Sequence, residues 1–299
     1  MNILLTGGTG LIGRALCKRW SAEGHQLWVW SRTPEQVARL CGAGVQGVGR
    51  LEQLDAVVLD AVVNLAGAPI ADRPWTKSRK ALLWDSRVTL TDQLVTWLGT
   101  RAQRPAVLVS GSAVGWYGDG GEHRLTEADQ PVSADFASQL CSAWEERAME
   151  ATALGMRVVL IRTGLVLAPD GGFLKRLLPL FKLGLGGRLG DGRQWMPWVH
   201  IDDQIGLIDF LLRQPGASGS YNACAPEPVR NADFTRRLGQ CLHRPAVLPV
   251  PAMVLKPFGE LSGLLLGGQH VLPQRLLDEG FRFRFRELDR ALADLLTHP

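Results

Sequence analysis

Apolar residues in the first half of the chain fall into two alternating textures. Ile3-Leu4-Leu5, Leu27-Trp28-Val29-Trp30, Ala61-Val62-Val63, Ala106-Val107-Leu108-Val109 and Val158-Val159-Leu160-Ile161 are short unbroken runs rich in β-branched residues. Runs of that length, with no polar residue on alternate positions, predict strands covered on both faces. Between them apolar residues recur every three or four positions, predicting helices from Leu11, over 34–40, over 77–100 and over 139–154. Alternating strands and helices with right-handed crossovers predict a doubly wound α/β fold, its ligands outside the carboxyl ends of a parallel sheet. The second half differs: proline and glycine are dense over 169–192 and 245–268, with a helix predicted over 202–212 and a strand over 219–223. The organisation expected is a nucleotide-binding domain of Rossmann type over 1–165, completed by 217–223. Segments 166–216 and 224–299 would form a smaller lobe closing over it.

The first strand runs straight into Thr6-Gly7-Gly8-Thr9-Gly10-Leu11-Ile12-Gly13. Gly7 permits a tight turn, Gly10 a close backbone approach to a pyrophosphate, and Gly13 close packing of the helix on the sheet. The helix N-terminus at Leu11 and Ile12 then offers N–H groups to the phosphates. The second strand ends in Ser31-Arg32, with no Asp or Glu to hold unmodified ribose hydroxyls. A guanidinium and a hydroxyl suit a 2′-phosphate, so this position favours NADP(H) over NAD(H).

Composition narrows the class. The chain has 299 residues, 46% of them hydrophobic, and a formal charge of +4 with both signs interspersed. That balance predicts a small-molecule substrate and no nucleic-acid or membrane partner. Five scattered cysteines without C-x-x-C spacing, and no opening basic-then-apolar signal, predict reduced thiols in a cytoplasmic protein with no metal site. Phe281, Phe283 and Phe285 alternate with Arg282, Arg284 and Arg286, which predicts a half-buried strand. Asp202 and Asp203 read as an N-cap for the helix that follows.

Taken together, these blocks resemble the short-chain dehydrogenase/reductase superfamily in its extended, epimerase-like form, and more narrowly its atypical "epimerase family" branch. The glycine turn matches the cofactor motif, and Asn64-Leu65-Ala66-Gly67 matches the turn lying along the nicotinamide ribose. Ser110-Gly111-Ser112-Ala113 with Trp116-Tyr117-Gly118 matches the block carrying the catalytic hydroxyl. Arg162-Thr163-Gly164-Leu165 and Trp198-Val199-His200-Ile201-Asp202-Asp203 match two later elements, and Ser86-Arg87 points to the atypical branch. The resemblance implies cofactor contacts at Gly7, Thr9, Gly10, Leu11, Ile12, Ser31, Arg32, Asn64, Leu65, Ala66, Gly67, Arg87 and Leu165.

One element departs from that pattern. Members that oxidise or epimerise an alcohol carry Tyr-x-x-x-Lys on the helix after the serine. Here either Phe136 and Leu140 or Ala137 and Cys141 fall at those positions, and the chain has two tyrosines, Tyr117 and Tyr221. Ser112 either polarises a reacting oxygen or satisfies nearby backbone. Tyr117 is an acid–base candidate if its pKa is depressed, and otherwise a pocket wall. Cys141 is either a buried small hydrophobe or a reactive thiol. Trp116, Gln194, Trp198 and His200 form a polar and aromatic set suited to substrate, with His200 alternatively a hinge residue. Two functions follow: an NADP(H)-dependent oxidoreductase or epimerase acting on a small polar, sugar-nucleotide-like substrate, or a non-catalytic NADP(H) sensor or assembly protein. The resemblance implies a homodimer formed through helices such as those over 77–100 and 139–154, as in extended relatives.

Overall fold

In the computed structural model, residues 1–297 are described. Seven strands form one parallel sheet: β1 (Asn2–Thr6), β2 (Gln26–Trp30), β3 (Gln46–Val48), β4 (Ala61–Asn64), β5 (Val107–Ala113), β6 (Arg157–Thr163) and β7 (Gly219–Ala223). Their spatial order is β7-β6-β5-β4-β1-β2-β3, so the strand order reverses between β1 and β4. The unbroken apolar runs split by alternation. Ile3, Leu5, Val29, Val63, Val109 and Ile161 face one helical layer, and Leu4, Trp28, Val62, Leu108, Val158 and Leu160 face the other. The fold class is therefore the one expected, a doubly wound sheet of Rossmann type.

Four local expectations need correction. The glycine-rich connection over 42–49 contains the edge strand β3, where Gly47 is needed because a Cβ there would meet the Pro34 carbonyl oxygen at 2.1 Å. The helix expected over 77–100 is two helices, Lys77–Trp84 and Leu90–Thr100, joined by a π-helical turn at Asp85–Thr89. Phe283 and Phe285 are buried as alternation required, but residues 281–286 pair with no strand. The N–H groups of Arg284 and Phe285 donate instead to the buried carboxylate of Asp203, at 2.8 and 2.9 Å. Asp203 is thus spent on that segment. The N-cap of helix Ile201–Arg213 is His200, whose Nδ1 accepts from the Asp202 N–H at 3.0 Å.

Helix Ile201–Arg213, expected in the smaller lobe, packs on the sheet. Leu207, Ile208 and Leu211 join the first core, and Asp209 accepts from the Trp20 indole at 2.8 Å. A separate core gathers Leu174, Phe181 and Trp198 with Phe234, Leu238, Leu292 and Leu295, drawn from both segments of the second half.

Candidate functional site

The carboxyl ends of β1, β2, β4, β5 and β6 share one edge of the sheet. At the end of β1, Gly7 has φ +66°, and a Cβ there would meet the Leu65 carbonyl oxygen at 2.5 Å. A Cβ on Gly13 would lie 2.4 Å from the Gly7 oxygen. The turn is thus closed on itself and on the segment after β4. Helix Leu11–Ala22 begins at Gly10, and no side chain caps it, so its first N–H groups remain for an anion. Gly171 closes the far side, its Cα hydrogen aimed at Leu11, where a Cβ would come within 2.7 Å. These features fit a dinucleotide pyrophosphate: a glycine cradle that any side chain would fill, opposite an uncapped helix.

Ser31 and Arg32 leave β2 beside this turn. The Arg32 guanidinium is exposed and makes no ion pair among the described residues, while the Ser31 hydroxyl accepts from the Thr33 N–H at 3.2 Å. Leu65, Ala66 and Gly67 follow β4, and Gly67 lies against the Arg87 guanidinium, which a Cβ would approach to 2.9 Å. Arg87 itself sits on the π-helical turn. It donates to the carbonyls of Ala68 (2.9 Å) and Leu83 (3.3 Å), and burial lowers its pKa. Leu165 is half-buried and pairs with Trp198 in a short parallel ladder. The side chain of Asn64 is fully buried and spent. It accepts from Thr6 (2.6 Å) and donates to Thr91 (2.8 Å) and Ser110 (3.1 Å), tying three strands and a helix together. Asn64 acts on a ligand only through the backbone it fixes.

Ser112, near the end of β5, donates its hydroxyl to Glu145 at 2.6 Å. Glu145 is gripped in bidentate fashion by Arg162, at 2.9 Å for both nitrogens. Arg162 in turn donates to the Tyr117 oxygen at 3.1 Å and lies 3.4 Å from the centroid of the Trp116 ring. Tyr117 contacts the Thr126 carbonyl and Asn222 at 2.9 Å each. It is fully buried, and that burial raises its pKa to about 12. Tyr117 is therefore corrected from acid–base candidate to a strut between β5 and β7: Arg162 and Asn222 pull its pKa down, and burial outweighs both. Cys141 is buried on helix Phe136–Met149, and burial, then the nearby Glu145, raises its pKa to about 12. It is a neutral thiol within hydrogen-bond reach of Ser112.

Two substrate candidates are also corrected. Trp198 is fully buried in the second core, with its indole N–H on the Glu227 carbonyl at 3.0 Å. His200 caps a helix, stacks on Phe285 at 3.8 Å and is 1% exposed, out of reach of a substrate. Gln194 is half-buried and donates to the Leu189 and Leu265 carbonyls at 3.2 Å, and Trp116 is half-buried over Arg162.

A cleft of about 850 Å³ opens between Trp75, Gly115, Phe136 and Ala137 on one side and Glu260 and Leu266 on the other. Lys80 pairs with Glu260 across it at 2.6 Å. Phe136 and Ala137, the two positions that could have carried the helix tyrosine, both line this cleft without a titratable group. Glu145 and Arg162 were not singled out from sequence. The available signal was a charged residue near the end of an otherwise apolar strand, Arg157–Thr163, which requires a buried partner. Among the described residues no group of His, Cys, Asp and Glu could hold a metal ion.

Comparison with known proteins places the same features in context. Residues 3–224 match the NAD dependent epimerase/dehydratase family, and residues 249–295 match a domain of unknown function, DUF1731. An epimerase family protein of Mycobacterium bovis is 38% identical over 99% of this chain and 98% of its own length. The chloroplastic SDR39U1 homolog of Arabidopsis thaliana, also an epimerase family protein, is 38% identical over 99% of this chain and 87% of its own. Among solved structures, human epimerase family protein SDR39U1 with NADPH superposes with a TM-score of 0.89. It is 32% identical and covers the whole of both chains.

Proposed function

The chain belongs to the NAD dependent epimerase/dehydratase family, and on that premise we propose that it is an NADP(H)-dependent oxidoreductase or epimerase acting on a small polar substrate. The observation that carries the cofactor choice is Arg32: an exposed, unpaired guanidinium at the end of β2, where no carboxylate stands. The human relative solved with NADPH supports the same choice. Gly7, Thr9, Gly10, Leu11 and Ile12 would hold the pyrophosphate, Ser31 and Arg32 the 2′-phosphate, and Leu65, Ala66, Gly67, Arg87 and Leu165 the nicotinamide half. The nicotinamide supplies a carrier for hydride.

The chain's own contribution centres on Ser112. Its proton is committed to Glu145 at 2.6 Å, so Oγ presents a lone pair to a substrate rather than a donor. That polarity suits a substrate hydroxyl better than a carbonyl. The bidentate grip of Arg162 fixes the Glu145 carboxylate in place, and with it the direction of the Ser112 hydroxyl. The cleft beside Gly115 and Ala137, with Lys80 and Asp119 among polar residues and Trp75 and Phe136 among apolar ones, accommodates a polar ring.

A second reading, a non-catalytic NADP(H)-binding sensor or assembly protein, is favoured by one observation: Tyr117 and Cys141 are both neutral, buried and unfit to move a proton at neutral pH. Tryptophan-fluorescence titration with NADPH and NADH, on the native chain and on Arg32→Ala, tests the cofactor. Selective weakening of NADPH in the variant is expected, and equal affinity for both nucleotides in both proteins would overturn it. Stoichiometric NADPH binding without consumption over a panel of carbonyls, and without NADP⁺ reduction over the matching alcohols, would establish the sensor instead.

A further inference from the structure

Two segments 60 residues apart in sequence run side by side on the second lobe. The Leu248 N–H donates to the Gly186 carbonyl at 3.1 Å, Val250 to Arg188 at 2.8 Å, and Gly190 back to Val250 at 2.9 Å. The Arg244 guanidinium reaches the Lys182 carbonyl at 3.0 Å, and Pro245 lies against Gly184. From this pairing aliphatic side chains project outward: Leu183 is 73% exposed, Val247 74% and Met253 74%, with Leu180, Leu185 and Val254 each more than half exposed. Side chains left this far in water gain nothing for the fold.

The charge around them is one-sided. Residues 171–190 and 234–259 carry eight Lys and Arg and no Asp or Glu, which leaves 25 basic against 29 acidic residues on the rest of the chain. Lys182, Arg188, Arg244 and Lys256 are exposed and form no ion pair among the described residues. Acidic residues border these segments at Asp170, Asp191, Asp233 and Glu260, and Arg236 and Arg237 are paired with Asp233 and Asp289, so these four unpaired cations carry the local excess.

We propose that this surface docks on an anionic lipid bilayer, with the aliphatic side chains entering the interfacial region and the basic rim meeting the headgroups. Charge complementarity selects the occupant. A second copy meeting through the same patch would oppose two sets of unpaired cations, which a twofold contact does not relieve. A groove-binding protein partner needs a concavity, whereas these side chains project singly. Aliphatic residues projecting among the unpaired Lys182, Arg188, Arg244 and Lys256 are the features that partition into a headgroup layer. This assignment replaces the sequence-based expectation of no membrane contact. It requires no spanning helix, and among the described residues no helix is long and apolar enough to cross a membrane. Gly259, Glu260 and Ser262, which line the cleft, follow residue 254 within eight positions, so docking would bring the cleft mouth close to the bilayer.

The test is flotation of the full chain with phosphatidylcholine vesicles, with and without phosphatidylglycerol. Binding to the anionic vesicles alone, weakening with added salt, is expected. Lys182→Ala with Lys256→Ala should lower partitioning about twenty-five-fold, at about five-fold per charge removed at the surface. Leu183→Ser with Met253→Ser should lower it independently, while nucleotide binding and the melting temperature stay at native values in both variants. Absence from anionic vesicles at low salt would overturn the proposal. So would binding indifferent to both pairs of substitutions. Retention by a soluble polyglutamate, without vesicle binding, would assign the surface to an acidic protein and equally overturn it.

Discussion

Glu145→Gln isolates the buried ion pair that joins β5, β6 and helix Phe136–Met149. The substitution keeps the side chain's shape and removes its charge. Arg162, with a side chain only 5% exposed, then keeps at most one of its two 2.9 Å contacts and loses the opposing charge. Its remaining neighbours are the Tyr117 oxygen at 3.1 Å and the Trp116 face, and neither neutralises a cation. Leaving one member of a buried pair without its partner costs about 3–5 kcal/mol. For a domain of this size that is a fall in melting temperature on the order of 10 °C. The assay is thermal unfolding of the native chain, Glu145→Gln, Glu145→Met, Arg162→Met and the double variant Glu145→Met with Arg162→Met. The single variants should each show the full loss, and the double variant Glu145→Met with Arg162→Met should recover most of it, because two apolar groups require no pairing. A single variant within about 2 °C of the native chain would refute the reasoning, since it would mean the charges are solvated after all.

Four further outcomes follow from the geometry. Arg32→Ala should weaken NADPH by a factor on the order of tens while leaving NADH nearly unchanged, the range expected for one charge-assisted contact, read by fluorescence titration; equal losses for the two nucleotides would remove the 2′-phosphate assignment. Gly13→Ala should abolish nucleotide binding, because its Cβ would sit 2.4 Å from the Gly7 oxygen, and native affinity in calorimetry would show the turn to be looser than described. Tyr117→Phe should cost about 1–2 kcal/mol in urea unfolding, from a buried acceptor left unpaired, without a specific loss of turnover; a collapse in kcat at unchanged stability would restore it as a proton-transfer group. Burial lowers the pKa of His200 below its ordinary 6.5, and it also lowers those of His25 and His270. The unfolded chain therefore binds more protons just below that pH, so stability should fall as pH drops through about 6.5. His200→Asn, which can still cap the helix, should flatten part of that slope, and an identical pH profile would contradict it.

Much of the fold could be read directly from the residues. Short apolar runs between amphipathic segments define a parallel sheet, and Gly7, Gly10 and Gly13 define the turn at its switch point, because both signals are local in the chain. The place of Arg32, exposed just past the end of β2, was legible for the same reason, since it depends on one strand alone. The same local reasoning misassigned His200, Trp198 and Tyr117. Polar aromatic residues near strand ends look available to a ligand, and only the packed core reveals that His200 Nδ1, the Trp198 indole N–H and the Tyr117 hydroxyl are already spent on Asp202, Glu227 and Thr126.

What the tertiary structure alone decided is the set of meetings between distant residues. Ser112 meets Glu145 across 33 positions, and Asp203 replaces a strand partner for Arg284 and Phe285 across more than 80. The basic surface likewise exists only where residues 180–190 meet residues 244–254. Periodicity encodes which face of an element is apolar, and it does so residue by residue along the chain. Which buried charge finds which partner depends on how the elements stack, and a carboxylate on a helix carries no mark in sequence of the arginine on the following strand that will hold it.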